Sequence, residues 1–366
     1  MRCFGHIQNR VVRKLLFADK AKVLERGMEE QEAAKEAAKA GKEKVNWMEI
    51  ETAKWRALGA VGKLHNIVKW VRLKPHRRSA FLDLHLAELQ KEDAFMLRSD
   101  NDTRWNSTRN MIQSALDQKE RVIEFCAMES GLAKDALTEQ DWTDLKEIMK
   151  LLDPFHYLTL LGEKRGTQFG SVGSILWGMD VLLDRLEKAR KMSRDTPFQE
   201  AIDSAWAVLK KYYEYTDESP IHVVSTVLDP RMKYSYFERK WKKDWIKKAK
   251  ETMVDFVSRY SEDLENPMPS TVQSPQKLNR MVDIDSWRFG STVKKDDELT
   301  RYLKAPLLFL GTRKANDEFD VLEWWKGNAK EYPTFARIAF NIFSVPAMSV
   351  EPERVFSGYY LTDGLF

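Results

Sequence analysis

The sequence predicts an all-α protein with little or no sheet. Three observations carry that expectation. Apolar residues recur every three or four positions over much of the 366-residue chain, period-two alternation is nearly missing, and helix-start signals precede some of the apolar stripes. Composition sets the outer limits: 43% hydrophobic and 32% charged residues suit a globular chain with two or three cores. No uninterrupted apolar run reaches the roughly 18 residues of a bilayer span, so no membrane partner is expected. Cys3 and Cys126 are too few for a disulfide framework, which fits a reducing, intracellular compartment. A formal net charge of +4 names no partner by itself; basic residues matter where they cluster.

Taken in order, residues 1–17 are basic and broken by polar residues, unlike the apolar core and small-residue cleavage site of a secretory signal. Residues 18–45 are dominated by Ala, Lys and Glu, so the helix they favour has little to bury. From 46 to 260 the helical signal is nearly continuous. Met111, Ile112, Ala115, Leu116, Val122, Ile123 and Cys126 share one face. Thr138 with Asp141 three residues on reads as a capping box, and Trp142, Leu145, Ile148, Met149 and Leu152 continue it until Pro154 is expected to break the stripe. Val172, Ile175, Leu176, Met179, Leu182, Leu183 and Leu186 repeat at helical spacing, as do Ile202, Ala205, Trp206, Leu209, Tyr212 and Tyr213. The one short β-branched exception is IHVVSTV, 221–227. Residues 261–295, with Pro267, Pro269 and Pro275 among Ser, Gln and Asp, read as a flexible linker. Residues 296–366 form the last region, where Pro333 opens a short apolar helix carrying Phe335, Ile338, Ala339, Ile342 and Phe343.

Three groups of residues could carry function. Cys3 and His6 form a C-x-x-H pair, but tetrahedral zinc needs two more ligands at short spacing and none follows, so no metal site is assigned. Between 231 and 250 stand nine Lys or Arg against Glu238 and Asp244, interleaved with Trp241 and Trp245. Arg239, Lys240, Lys242, Lys243, Lys247 and Lys248 suit a phosphate backbone, which is recognised by charge without sequence information. A solvated amphipathic helix with its tryptophans inward explains the same residues, and both readings stay open. Finally, Leu322, Trp324 and Trp325 with the helix after Pro333 supply large rigid apolar area of the kind that dominates interfaces and cores alike.

The motifs in this order resemble those of hAT-type DNA transposases. FDVLEWWKGNAKEYPTFARIAFNIFSVPAMSVEPERVFS, 319–357, is similar to the C-terminal dimerisation region of that family, and DELTRYLKAP, 297–306, to the segment that opens it. TRWNS, 103–107, resembles the signature of the family's helical insertion domain, with GKLHNIVKWVR, 62–72, similar to a fungal-type branch. RCFGHIQN, 2–9, looks like the end of a ribonuclease-H-like core leading into that domain, and LDPRMK, 228–233, matches a recurrent stretch. The resemblance implies a helical insertion domain followed by a C-terminal helical remnant of the ribonuclease-H-like core, in a nuclear protein that self-associates. It implies that Leu322, Trp324, Trp325, Phe335, Ile338, Ala339, Phe343 and Phe356 pack subunits or the domain itself. It also implies that Trp105 replaces the stacking lost by an extruded base while Arg104 reaches phosphate.

Within the same resemblance, Glu353 is the last of three carboxylates that hold divalent magnesium or manganese. Two-metal strand transfer requires all three acids. Their two partner aspartates, and a zinc finger, would precede residue 2. The expectation is therefore a catalytically inactive chain with no cofactor and no small-molecule substrate, which self-associates and binds DNA weakly and without sequence preference. Two alternatives remain: part of an active transposase whose beginning lies outside this chain, and a purely structural helical interaction protein.

Overall fold

The computed structural model describes residues 3–17, 47–84, 96–101, 105–162, 171–194, 196, 198–265 and 298–347. The charged stretch 18–45 and residues 266–295 of the expected linker lie outside them. Among the described residues the regular elements are all helices, and the only strand-like pairing is one antiparallel bridge between Ser171 and Pro346. No described helix is long and apolar enough to cross a membrane. The chain divides into two compact units: residues 1–159 with 179–212, and residues 160–178 with 213–366.

In the first unit, α1 (Phe4–Phe17) buries Phe4, Ile7, Val11, Val12, Leu15 and Leu16, a stripe at three- and four-residue spacing. Gln8 is buried in the same face, where its side-chain oxygen accepts from the Thr159 hydroxyl at 2.6 Å. α2 (Trp47–Arg56) and α3 (Ala60–Leu73) meet at Gly62, where a Cβ would fall 1.6 Å from the carbonyl oxygen of Trp55. Only a residue without a side chain allows that approach. α4 (Pro75–Asp83) opens on its proline. α5 (Trp105–Leu116) and α6 (Lys119–Met128) follow, turning inward the face predicted from Met111, Ile112, Ala115, Val122 and Cys126, while Ile123 is exposed. Asp135, just beyond them, is buried as a hub that accepts both Nε and Nη2 of Arg56 at 2.8 and 2.7 Å and Nδ2 of Asn66 at 2.9 Å.

α7 (Glu139–Gly162) begins on the predicted capping box. Thr138 N–H donates to Asp141 Oδ2 at 2.8 Å, and Asp141 N–H returns to Thr138 Oγ1 at 3.2 Å. The expected break at Pro154 does not occur, and the helix runs on to Gly162. A proline removes the hydrogen bond to the carbonyl four residues back, here Lys150. That oxygen instead accepts Nη2 of Arg185, at 3.2 Å, from α8 (Ile175–Met192). α9 (Gln199–Glu214) buries Ile202, Ala205, Leu209 and Tyr212.

The second unit is assembled around α10 (Ile221–Val227), the segment whose β-branched run looked strand-like. Helix wins there for tertiary reasons. Its terminal carbonyls are taken up by distant side chains: Tyr302 O–H donates to Val227 O, and Trp325 Nε1–H to Leu228 O, both at 3.0 Å. Ser225, Thr226 and Asp229 are fully buried here with Val224, Val227 and Leu228. α11 (Lys233–Lys240) and α12 (Lys243–Glu265) follow; α12 extends to Glu265, so the first five residues of the expected linker are helical. After residue 297 come α13 (Glu298–Lys304), α14 (Arg313–Glu318), α15 (Val321–Asn328) and α16 (Pro333–Phe343). Asp320 caps α15, accepting from the amides of Leu322 and Glu323 at 2.8 and 3.1 Å. Glu298 reaches across to the start of α16 and accepts from Phe335 N–H at 2.7 Å, placing a negative charge where that helix exposes its unpaired amides.

Candidate nucleic-acid and self-association surfaces

The LDPRMK stretch builds a clasp. Asp229 is fully buried and accepts three bonds from Arg231: its backbone N–H at 2.9 Å, Nε at 3.0 Å and Nη2 at 2.9 Å. The guanidinium then reaches out, Nη1 donating to Asn316 O at 2.7 Å, with its carbon 4.6 Å from the centre of the Phe319 ring. Lys233 is buried too, and its ammonium donates to the carbonyls of Tyr302 and Ala305 at 2.5 and 2.7 Å, at the C-terminal end of α13. A cation there complements the negative end of the helix. Burial pulls the Lys233 pKa down to about 8. Its backbone is left-handed, φ 47°, a conformation that costs a non-glycine residue about 1–2 kcal/mol, offset here by the two bonds. Pro230 O completes the clasp by accepting from Leu308 N–H at 3.0 Å.

Two of the nine cations counted between 231 and 250 therefore face inward, and the basic face is smaller than the sequence implied. Arg239, Lys240, Lys242, Lys243, Lys247, Lys248 and Lys250 remain, all exposed, along the end of α11 and the first turns of α12. Two of them stand near carboxylates, Lys247 at 3.9 Å from Glu251 and Lys250 at 3.7 Å from Glu238. Lys240, Lys242, Lys243 and Lys248 form no ion pair with any described residue. The tryptophans are not both inward. Trp241 is half-buried against Phe237, ring centroids 4.4 Å apart, whereas Trp245 stands edge-on to Trp241 and is 51% exposed.

The other sequence-derived candidates lie elsewhere. Trp105 opens α5 with its ring packed edge-on against Phe155, 6.3 Å between centroids, and only 6% exposed. It fills a core in the first unit, so no face of the indole is open to a base in this arrangement. Arg104, Glu353 and Phe356 lie outside the described residues. Cys3 is half-buried and His6 exposed, and among the described residues no group of three His, Cys, Asp or Glu could hold a metal ion.

The residues assigned to dimerisation are mostly spent within one chain. Trp325, Phe335, Ile338, Ala339 and Phe343 are buried, Trp325 at the centre of a cluster with Tyr302, Tyr332 and Phe335. Leu322 and Trp324 are half-buried. The apolar groups left outside are ones the sequence reading passed over: Phe340, 38% exposed, on α16, and Leu307, 43% exposed, with Phe309, 87% exposed, in the segment that the clasp grips at both ends. The signal was present as an apolar run, PLLFLG at 306–311, too short to form a helix and too apolar for an ordinary loop.

Comparison with known proteins gives two matches along the chain. Residues 1–151 match the ZBED1 RNase-like helical domain, and residues 298–361 match the hAT family C-terminal dimerisation region. The chain is similar to a putative transcriptional regulator, tpeD, of Talaromyces stipitatus, 24% identical over 305 residues that cover 81% of this chain and 32% of the relative. It is similar to the zinc finger BED domain-containing protein DAYSLEEPER of Arabidopsis thaliana, 26% identical over 284 residues, 74% of this chain and 38% of the relative. The putative AC transposase of Zea mays is 24% identical over 318 residues, 82% of this chain and 38% of the relative. The chain thus spans about a third to two fifths of the length of these relatives.

Proposed function

The chain joins a ZBED1-type helical domain to a hAT-family dimerisation region, which sets it among hAT-type transposase relatives, and from that premise we propose a nuclear protein that self-associates and binds nucleic acid without sequence preference. The dimerisation match at residues 298–361 carries the self-association. Because the core of that region consumes most of the apolar residues first assigned to it, the contact surface we assign is the 306–310 segment with Leu307 and Phe309 outermost. A projecting aromatic on a segment pinned at both ends loses little freedom on docking, the condition under which a few residues dominate an interface.

The nucleic-acid reading rests on the seven exposed cations between residues 239 and 250. Such cations read phosphate, fix no sequence and bind more weakly as salt rises. We propose binding rather than strand cleavage as the role of the described surfaces: two-metal transfer needs three carboxylates around the ions, and among the described residues no group of three His, Cys, Asp or Glu could hold a metal ion. Magnesium-dependent cleavage lost on Glu353→Ala would overturn that assignment. For binding, the test is a duplex titration at several salt concentrations with the Lys242, Lys243, Lys247 and Lys248 quadruple glutamine variant. Affinity should fall alike for unrelated sequences, and the salt slope should drop by about one for each phosphate that the variant no longer neutralises. Unchanged affinity and slope would leave the basic face as solvated surface only.

A further inference from the structure

The exposed tryptophan makes the basic face more specific than a phosphate-binding surface needs to be. A duplex keeps its base faces inside the stack, so an indole beside it can meet only sugar and phosphate. A single strand offers base faces that stack on an aromatic ring. Trp245 leaves half its surface in water, although large apolar groups are ordinarily buried. It is held rather than loose: its amide donates to Lys242 O at 3.0 Å, and its ring abuts Trp241 at 6.1 Å and 87°. Trp241 in turn ends α11, its N–H bonded to Phe237 O at 2.7 Å and its ring against Phe237. Unpaired lysines flank the exposed ring along the chain. Lys242 precedes Trp245 by three residues, and Lys248 lies one helical turn after it.

We propose that the α11–α12 surface is a single-strand nucleic-acid site in which Trp245 stacks on an unpaired base while Lys242 and Lys248 hold the adjoining phosphates. The proposal rests on the reading that this basic face binds nucleic acid, and it adds the class of strand. Charge favours such a partner over an ordinary protein surface: between 238 and 251 seven exposed cations face only Glu238, Asp244 and Glu251. The recognised chemistry, a base plane next to phosphate, is common to DNA and RNA. The 2′-hydroxyl is what would separate them.

The experiment is fluorescence anisotropy at low salt with the full chain and labelled oligonucleotides of about 20 nucleotides: oligo-dT, oligo-rU and a mixed-sequence duplex of equal length. Oligo-dT should bind at least tenfold more tightly than the duplex. Trp245→Ala should weaken oligo-dT by about 5- to 100-fold, the range expected for loss of one stacked base, and leave the duplex within about twofold. Trp245→Phe should recover most of the loss, which separates stacking from misfolding. Oligo-rU matching oligo-dT supports a base-plane site shared by both acids, and weaker oligo-rU binding that still depends on Trp245 supports a DNA-preferring one. Equal affinity for single strand and duplex, or an equal loss on both with Trp245→Ala, overturns the proposal. In that event the quadruple lysine variant still decides whether the basic face binds: weakened duplex binding keeps the broader reading, and unchanged binding removes both.

Discussion

Asp229→Ala tests whether the clasp holds the second unit together. The carboxylate is fully buried and accepts three hydrogen bonds from Arg231, one from its backbone N–H and two from a guanidinium whose side chain is only 7% exposed. The substitution takes from a buried guanidinium the carboxylate that accepts two of its bonds, and breaking such a pair from one side costs about 3–5 kcal/mol. Two compact units make a single global unfolding free energy ill-defined. Segment-resolved hydrogen exchange is therefore the better assay. Amides of α13 to α16, which the clasp reaches through Asn316, Tyr302, Ala305 and Leu308, should exchange about 100- to 4,000-fold faster in the variant, the penalty divided by about 1.4 kcal/mol per decade. Amides of α3 and α5, in the other unit, should not change. The paired replacement Asp229→Leu with Arg231→Met should recover most of the protection, because a buried ion pair exchanged for apolar groups of similar volume is often neutral. Protection in α13 to α16 that shifts less than tenfold in Asp229→Ala would show that the pair is not coupled to those helices.

Two further outcomes follow from the same region. Lys233 in the folded chain titrates at about 8, below the 10.5 of a free lysine, so between these values the unfolded state holds more protons. Stability contributed by this group is therefore lowest below pH 8 and rises as pH climbs toward 10.5. Urea midpoints for the loss of α13 to α16 in the native chain and Lys233→Met, compared from pH 7.5 to 9.5, should show that slope in the native chain and its loss in the variant. Light scattering checks the assigned contact surface. The native chain should have twice the 42.8 kDa monomer mass, and Phe309→Asp should return the monomer without lowering thermal stability.

Much of the fold could be read in advance because helical periodicity and caps are local. The Thr138–Asp141 box lies within three residues of itself, and the Met111 to Cys126 stripe needs only its own spacing. What escaped was decided by partners far along the chain. Pro154 keeps its helix because Arg185, 35 residues from Lys150, takes the freed carbonyl. Lys233 and Arg231 looked like members of a basic run, and only bonds to residues 69 to 85 positions away show that they are interior groups. The same limit applied at the candidate surfaces. Charge density marked the exposed lysines correctly, but whether Trp245 or Trp325 points outward depends on what packs beside it. Trp325, the more buried of the two, finds its partner in Leu228 O, 97 residues back.

The dependence of α10 on Tyr302 and Trp325 has a consequence during synthesis. Its run of Ile, Val and Thr prefers an extended form, and the groups that cap its carbonyls are translated 75 and 97 residues later. At roughly 5–20 residues per second, a nascent chain waits several seconds with this apolar, β-prone heptapeptide unsheltered. Such a window invites strand pairing between neighbouring chains on one polysome, so truncation ahead of residue 298 should yield aggregates rather than a smaller soluble protein.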